Sequence, residues 1–253
     1  MTTATTPPPD ARHLFRICGA DRISFLQGLV SNDVSRLSQG LVYAALLTPQ
    51  GKYLADFFLT EQQDCVVLDV AEVQADALLL RLNMYRLRAE VSISNASLFV
   101  TRGTGSPPPG AFADPRHPAL GWRLYSATET PETPLDWDAI RVAHCIPATN
   151  IELIPNQTYV LEAGFERLHG VDFRKGCYVG QEVTARMKHK TSLKKGLVTV
   201  AVDGKAPVGT PIMADGKEAG TLYTQSGGKG IAYLRFDRAT GKMQAAKARV
   251  ARI

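Results

Sequence analysis

Residues 41–61 read LVYAALLTPQGKYLADFFLTE, two apolar segments on either side of Pro49, Gln50 and Gly51. Short runs rich in aliphatic and aromatic residues, broken by Pro and Gly, predict a β-hairpin. Downstream, DCVVLDV continues as strand; upstream, LFRIC at 14–18 reads as another. Between LFRIC and the hairpin, Asp21 is a candidate cap for a helix carrying Phe25, Leu26, Leu29 and Val30 at three- and four-residue spacing. That helix stops near Ser31, Asn32 and Asp33. From residue 72 to about 87 the period changes to helix, with Val73, Ala77, Leu80 and Met84 on one face and Leu78, Leu82 and Tyr85 widening it. AEVSISN then resumes alternation. Strands interrupted by one amphipathic helix predict an α+β arrangement, a sheet covered by helices.

The PPPG at 107–110 marks a loop or a seam. Further on, a helix fits residues 135–145, with Asp136 as its cap and Pro147 beyond its end. Residues 159–168 suit another. Beyond Lys195, short alternating runs separated by Gly, Pro and Asp-Gly turns predict a small all-β module, a compact barrel. The expected division is a disordered Thr/Pro lead-in over 1–12, a main domain over 13–194 and a barrel over 195–253.

The chain has 253 residues, room for one large or two modest domains, and its 45% apolar and 21% charged content excludes a disordered or fibrous chain. Its longest uninterrupted apolar run, Leu41 to Leu47, is far short of the roughly 20 residues of a spanning helix. No membrane role is expected. MTTATTPPPDAR lacks the basic start and apolar stretch of a secretory signal, so a cytoplasmic protein is expected. Cys18, Cys65, Cys145 and Cys177 form no CxxC pair, and no metal site is expected within one chain. In a reducing compartment all four are expected to be thiols.

Charge is unevenly spread. Arg174, Lys175, Arg186, Lys188, Lys190, Lys194 and Lys195 face the single acid Glu182, a local +6 in a chain whose total is +5. A field of that sign favours a carboxylate-rich small molecule, a phosphate or RNA, unless the stretch is a solvated surface. RNA is possible but not favoured, because Tyr178 is the only aromatic residue from 174 to 195 and base stacking needs more.

The strongest local signal is DFRKGCYVGQEVTARM at 172–187. A thiolate is the competent nucleophile and metal ligand, and nearby cations favour it; Arg174 and Lys175 precede Cys177, with Gly176 and Gly180 freeing the backbone. A buried, inert cysteine in a tight turn fits the same spacing.

KGCYVGQE resembles the signature of the YgfZ/CAF17/IBA57 family of folate-binding iron–sulfur cluster assembly factors. The resemblance extends to FLQGLVSNDV at 25–34, TPQGKYLADFF at 48–58, EVTARM at 182–187 and GIAYLR at 230–235. More distantly, the order of Asn32, Asp33, Gly40, Tyr43 and Gly51 is similar to that of the aminomethyltransferases (T-proteins) of the glycine cleavage system. That likeness implies an aminomethyltransferase-like, folate-binding α/β domain followed by a small C-terminal β-barrel. Two departures matter. Ala55 and Asp56 stand where those enzymes tend to have paired acids, and Lys175, Gly176, Cys177, Tyr178, Val179, Gly180 replace a Lys-x-x-Phe-Ile-Gly type sequence. Losing one acid weakens the case for aminomethyl transfer.

The resemblance thus implies a tetrahydrofolate-binding accessory factor for assembly or repair of iron–sulfur proteins, with folate-dependent one-carbon transfer as the alternative. Its partners would be a folate and iron–sulfur client or assembly proteins. Cys177 is the candidate iron, sulfur or cluster ligand or redox thiol, and Lys175 the candidate for thiolate activation and anion contact. Asp56 is the candidate to orient the pterin, or else a strand acid flanking the turn. Tyr178 suits a flat ring, or a core turn. Gln181 and Glu182 offer hydrogen bonds, although Glu182 and Arg186 would equally pair across one helical turn. Asn32 is a pocket candidate whose residue type more often caps a helix end.

Overall fold

The computed structural model describes residues 11–132, 134–189 and 192–253. Most of the lead-in expected over 1–12 lies outside the described residues; Arg12 opens the first strand. The chain forms two compact units, one within Met1–Thr48, Leu54–Thr133 and His169–Val179, the other within Pro49–Tyr53, Pro134–Leu168 and Gly180–Ile253. Residues 134–168, expected in the main domain, therefore cluster with the barrel.

In the first unit, β1 (Arg12–Cys18), β2 (Val42–Leu47), β3 (Tyr53–Gln62), β4 (Cys65–Ala71) and β5 (Ser92–Asn95) form one sheet in the order β2-β3-β4-β1-β5. The hairpin expected at 41–61 is β2 and β3. Every residue of β2 and of β4 is buried, which is why these strands are almost continuously apolar. Alternate residues serve different cores. Val42, Ala44, Leu46, Phe57, Leu59, Val66, Leu68 and Val70 pack with Phe25 and Leu26 of α1 (Arg22–Gln27) and with Ala75, Leu78 and Leu82 of α2 (Glu72–Arg86).

The residues between them, including Asp69, point the other way. Asp69 accepts from Arg12 Nε at 2.6 Å, from Arg123 Nη1 at 3.1 Å and from the Tyr125 hydroxyl at 2.9 Å. Arg123 and Tyr125 lie on β8 (Trp122–Ser126), the centre of a small sheet with β6 (Phe99–Gly103) and β7 (Phe112–Ala113). Asp114, just after β7, takes the other side of Arg123 through Nε at 3.1 Å and pairs with Arg116 Nη2 at 2.8 Å. Buried charges persist only when paired in this way.

Three local expectations fail for physical reasons. The expected α2 face is wrong at its centre: Val73, Leu80 and Met84 are exposed, while Leu78 and Leu82, expected only to widen it, are buried together with Gln74 and Ala75. Apolar residues occur on both sides of the helix, so periodicity alone could not choose. Asp21 stands at the N-cap position of α1, its carbonyl accepting from the Phe25 N–H at 2.8 Å, but its carboxylate makes no capping bond and accepts instead from the Glu90 N–H at 2.8 Å. The thiol expectation fails at Cys18 and Cys65, which form a disulfide, leaving Cys145 and Cys177 free. The register Ile17↔Val66 places the two cysteines opposite each other on neighbouring antiparallel strands, with Cα atoms 4.5 Å apart. A separation of 47 residues hides that adjacency in the sequence.

In the second unit, β9 (Lys195–Asp203), β10 (Thr210–Ala214), β11 (Lys217–Ser226), β12 (Lys229–Arg235), β13 (Met243–Ala245) and β14 (Ala248–Arg252) close into a barrel in the order β10-β11-β12-β9-β14-β13. Closure leaves no unpaired edge. Its interior is filled by small and branched residues such as Val200, Ile212, Ala219, Leu222, Ala232 and Leu234. Gly220 is required there, since a Cβ would meet the Tyr233 carbonyl oxygen at 2.1 Å. α3 (Trp137–His144) carries the expected cap, Asp136 accepting from the Ala139 N–H at 2.9 Å. Buried Glu152 accepts from Arg141 of α3 at 2.6 Å and from the Thr224 hydroxyl of β11 at 2.6 Å, joining the two elements. The helix expected over 159–168 is instead a run of turns, broken where Gly164 takes φ +79°.

Candidate functional site

The cysteine loop is held by the residue that begins its motif. Asp172 Oδ1 accepts from the backbone N–H of Arg174 at 2.6 Å and of Lys175 at 3.2 Å, and Oδ2 accepts from Arg36 at 2.5 Å. The Asp172 N–H donates to the Ser31 carbonyl at 3.0 Å, while the Ser31 hydroxyl donates to Gly170 O at 2.6 Å and accepts from Ala45 N at 2.8 Å. The loop is thereby tied to β2. An Asp bonding to N–H groups two and three residues ahead is a recognisable turn device, and it is the signal by which Asp172 was open to sequence reading.

Lys175 turns inward. Its Nζ donates to the carbonyls of Gln27 at 2.8 Å, Val30 at 2.6 Å and Asn32 at 3.0 Å, and lies 5.0 Å from the centre of the Tyr178 ring. An ammonium has three N–H donors, and three carbonyls take them. These oxygens lie at and just beyond the C-terminal end of α1, where a cation is favoured. The expected roles of Lys175 in anion contact and thiolate activation are therefore replaced by a cap on this chain segment. Burial pulls its pKa down to about 8, with Asp33 and Asp172 acting in the opposite sense. Tyr178 is buried beside it, the core-turn alternative, while Cys177 is exposed with a free thiol. Gly176 has no positive φ; Gly180, at φ +85°, does.

Asn32 is used internally as well. Its amide donates to the carbonyls of Tyr43 and His169, each at 2.7 Å, and its Oδ1 accepts from the Asp33 N–H at 2.8 Å. Both amide hydrogens are engaged, so the pocket role expected of Asn32 gives way to bracing. Asp33 caps the 3-10 turn Val34–Gln39, accepting from Ser35 N at 3.0 Å. Asp56 is buried on β3, and its Oδ2 accepts from the Tyr43 hydroxyl at 3.0 Å. Lys175, Asn32, Tyr43 and Asp56 are thus successive links in one hydrogen-bonded chain. Arg116, whose guanidinium carbon is 5.5 Å from the Tyr43 ring centre and 4.8 Å from that of Phe58, completes the surroundings. Burial opposes the Arg116 charge, and Asp114 beside it, with smaller contributions from Tyr43 and Asp56, outweighs that penalty. Nothing in the sequence pattern singled out Arg116.

Gln181, Glu182 and Arg186 lie on α4 (Gln181–His189), in the second unit. Arg186 donates to Glu182 at 2.6 Å, the one-turn surface pair. Lys188 is paired with Glu166, and Lys190 lies outside the described residues. Lys188, paired with Glu166, and Lys175, turned inward, are thereby withdrawn from the +6 stretch, in which Glu182 is already counted. Gly51, at φ +73°, makes the turn between β2 and β3, where a Cβ would stand 3.0 Å from that of Val183 on α4. Two hollows, of about 810 Å³ on the barrel and about 610 Å³ beside Arg16, Gln62 and Asn95, are lined by neither Cys177 nor Asp56.

Residues 194–252 match the family model described as the CAF17 C-terminal β-barrel domain, the same residues that close the barrel. The iron–sulfur cluster assembly factor IBA57 homolog, mitochondrial, of Mycosarcoma maydis is 31% identical over 75% of this chain and 55% of its own length. The mitochondrial IBA57 assembly factor of Homo sapiens is 29% identical over 92% of this chain and 78% of its own. Residues 194–252 thus match the CAF17 barrel domain, and three quarters or more of the chain is similar to IBA57 assembly factors. It spans little more than half the length of the fungal IBA57 relative. A crystal structure of the glycine cleavage aminomethyltransferase T of Bartonella henselae superposes with a TM-score of 0.74 over 96% of this chain and 83% of that one, at 12% identity. That likeness establishes the aminomethyltransferase fold. The IBA57 relatives are named mitochondrial, which corrects the cytoplasmic expectation. No helix of the described residues is long and apolar enough to cross a membrane.

Proposed function

We propose that the chain is an iron–sulfur cluster assembly factor that acts through Cys177 and binds tetrahydrofolate. The observation that carries this reading is the exposed Cys177 thiol at the end of a loop whose preceding residues, Asp172 and Lys175, are held by six hydrogen bonds from their side chains. Such a loop presents sulfur without a large ordering cost on binding. The names of the IBA57 relatives supply the class of function. One thiolate cannot close a four-ligand cluster shell, so iron or a cluster would be cargo shared with ligands from an assembly or client protein.

The folate part of the proposal rests on Asp56. With Asn32 bracing its neighbours and Tyr178 buried, Asp56 is the candidate whose chemistry still fits, a carboxylate able to accept from the ring N–H groups of a pterin. Bound tetrahydrofolate would supply a one-carbon carrier, and this chain would orient it through Asp56, fixed by the Tyr43 hydroxyl.

Cys177→Ala in the full chain tests the first part. The fold and tetrahydrofolate affinity should persist while iron–sulfur client enzymes lose activity in cells relying on this variant; unchanged client activity under oxidative stress overturns it. Titration with tetrahydrofolate tests the second, and equal affinity in the parent and Asp56→Asn, or no binding by the parent, removes folate from the reading.

A further inference from the structure

Helix α2 buries one side and leaves a second apolar side uncovered. Val73, Leu80 and Met84 are 54, 65 and 67% exposed, Leu87 just past the helix end is 88% exposed, and Ala77 is exposed between them. The steps from 73 to 77, 80, 84 and 87 are four, three, four and three residues, the alternation of a two-helix seam. At 1.5 Å per residue the stripe runs about 20 Å. It lies opposite the residues that pack on the sheet, Ala75, Leu78 and Leu82. Single exposed apolar residues are ordinary, but an aligned row marks an interaction surface.

Charges beside the row select the occupant. At 100° per residue, Asp76 falls on one flank of the stripe, and Arg81 and Arg88 fall on the other. Among the described residues, Asp76, Arg81 and Arg88 have no side-chain hydrogen bond or ion pair within the chain. A two-fold axis parallel to the helix brings each flank against the opposite flank of a second copy. Asp76 then faces Arg81 of that copy, five residues on, and the contact occurs twice by symmetry. An antiparallel pairing would instead set the arginine flank against itself. We propose that α2 is the interface of a parallel, two-fold homodimer, with Val73, Ala77, Leu80 and Met84 as the seam and Asp76 and Arg81 as the pair that fixes its direction. Small Ala77 lets the helices approach closely, and Leu80 packs at the centre. An interface of two helical faces is at the small end of specific contacts, so association is concentration-dependent in the micromolar range.

Sedimentation velocity on the full chain, over a concentration series reaching hundreds of micromolar, tests this. The parent should pass from monomer to dimer, and Leu80→Glu should weaken the dimer by at least about tenfold. Leu80 is exposed, so folding should be retained, as circular dichroism will verify. Asp76→Arg and Arg81→Asp should each weaken the dimer, and the two together should restore it. A parent that stays monomeric, whether or not its stripe takes up a helix of another protein, overturns the proposal. So does a dimer indifferent to Leu80→Glu, or a double exchange that fails to restore pairing.

Discussion

Lys175→Met keeps the length of the apolar stem and deletes the ammonium, leaving the carbonyls of Gln27, Val30 and Asn32 without their donor. Three charge-assisted bonds at ~1.5–3 kcal/mol each amount to about 5–9 kcal/mol. Methionine avoids the several kcal/mol spent on desolvating an ammonium, so the net loss is about 3 kcal/mol. In a chain of this size that lowers the thermal midpoint by about 6–12 °C. The same variant separates a cap from a thiolate activator. If Lys175 is a cap, the pH midpoint for alkylation of Cys177, followed by peptide mass spectrometry, stays where it is in the parent. A thiolate activator would raise that midpoint by about one pH unit when removed. Stability within about 1 kcal/mol of the parent, with a midpoint raised by about a unit, would refute the reasoning. The pH dependence of stability gives a second readout. Burial lowers Lys175 from 10.5 to about 8, so between those values the unfolded chain holds a proton that the folded chain has released. Stability from this group therefore rises with pH across that window, and Lys175→Met should flatten the rise.

Alkylation before reduction should label Cys145 and Cys177 only, and after reduction and denaturation all four cysteines; four labels before reduction would contradict the Cys18–Cys65 bond. With the two cysteines 47 positions apart, loop-closure entropy sets the loss on reduction at about 4 kcal/mol, measured by denaturant titration with and without reductant. Burial raises the Asp114 pKa, but Arg116 and Arg123 overcome it and hold the carboxyl well below its ordinary range. Its stabilisation is complete above the unfolded value of about 3.9 and fades as pH falls below it. Asp114→Asn should cost about 3–5 kcal/mol at neutral pH by leaving buried guanidinium charge unmatched, and should make the acid loss shallower. Equal denaturation midpoints at pH 7 would count against that network.

Local chemistry made part of the architecture legible. The Pro49–Gly51 break gave the β2–β3 turn, Asp136 capped α3, and the Gly- and Asp-Gly-punctuated strands after Lys195 closed into a barrel. Each depends on residues within a few positions of one another. The face of α2 failed because both of its sides are apolar, and only contact with the sheet tells them apart. The candidate site divides in the same way. The motif located an exposed thiol, whereas Lys175 looked like an available cation until its partners at 27, 30 and 32, far away in sequence, were in view.

Taken alone, the order of residues determined the β2–β3 hairpin, the helices α2 and α3, the barrel tail, the motif that holds Cys177 and the family likeness, because turn chemistry and periodicity act over short spans. Tertiary structure decided which donors are spent, which cysteines meet and which helix face is left in water. Those outcomes depend on groups separated by tens to more than a hundred residues, such as Lys175 and Val30 or Cys18 and Cys65, brought together only when the sheets pair.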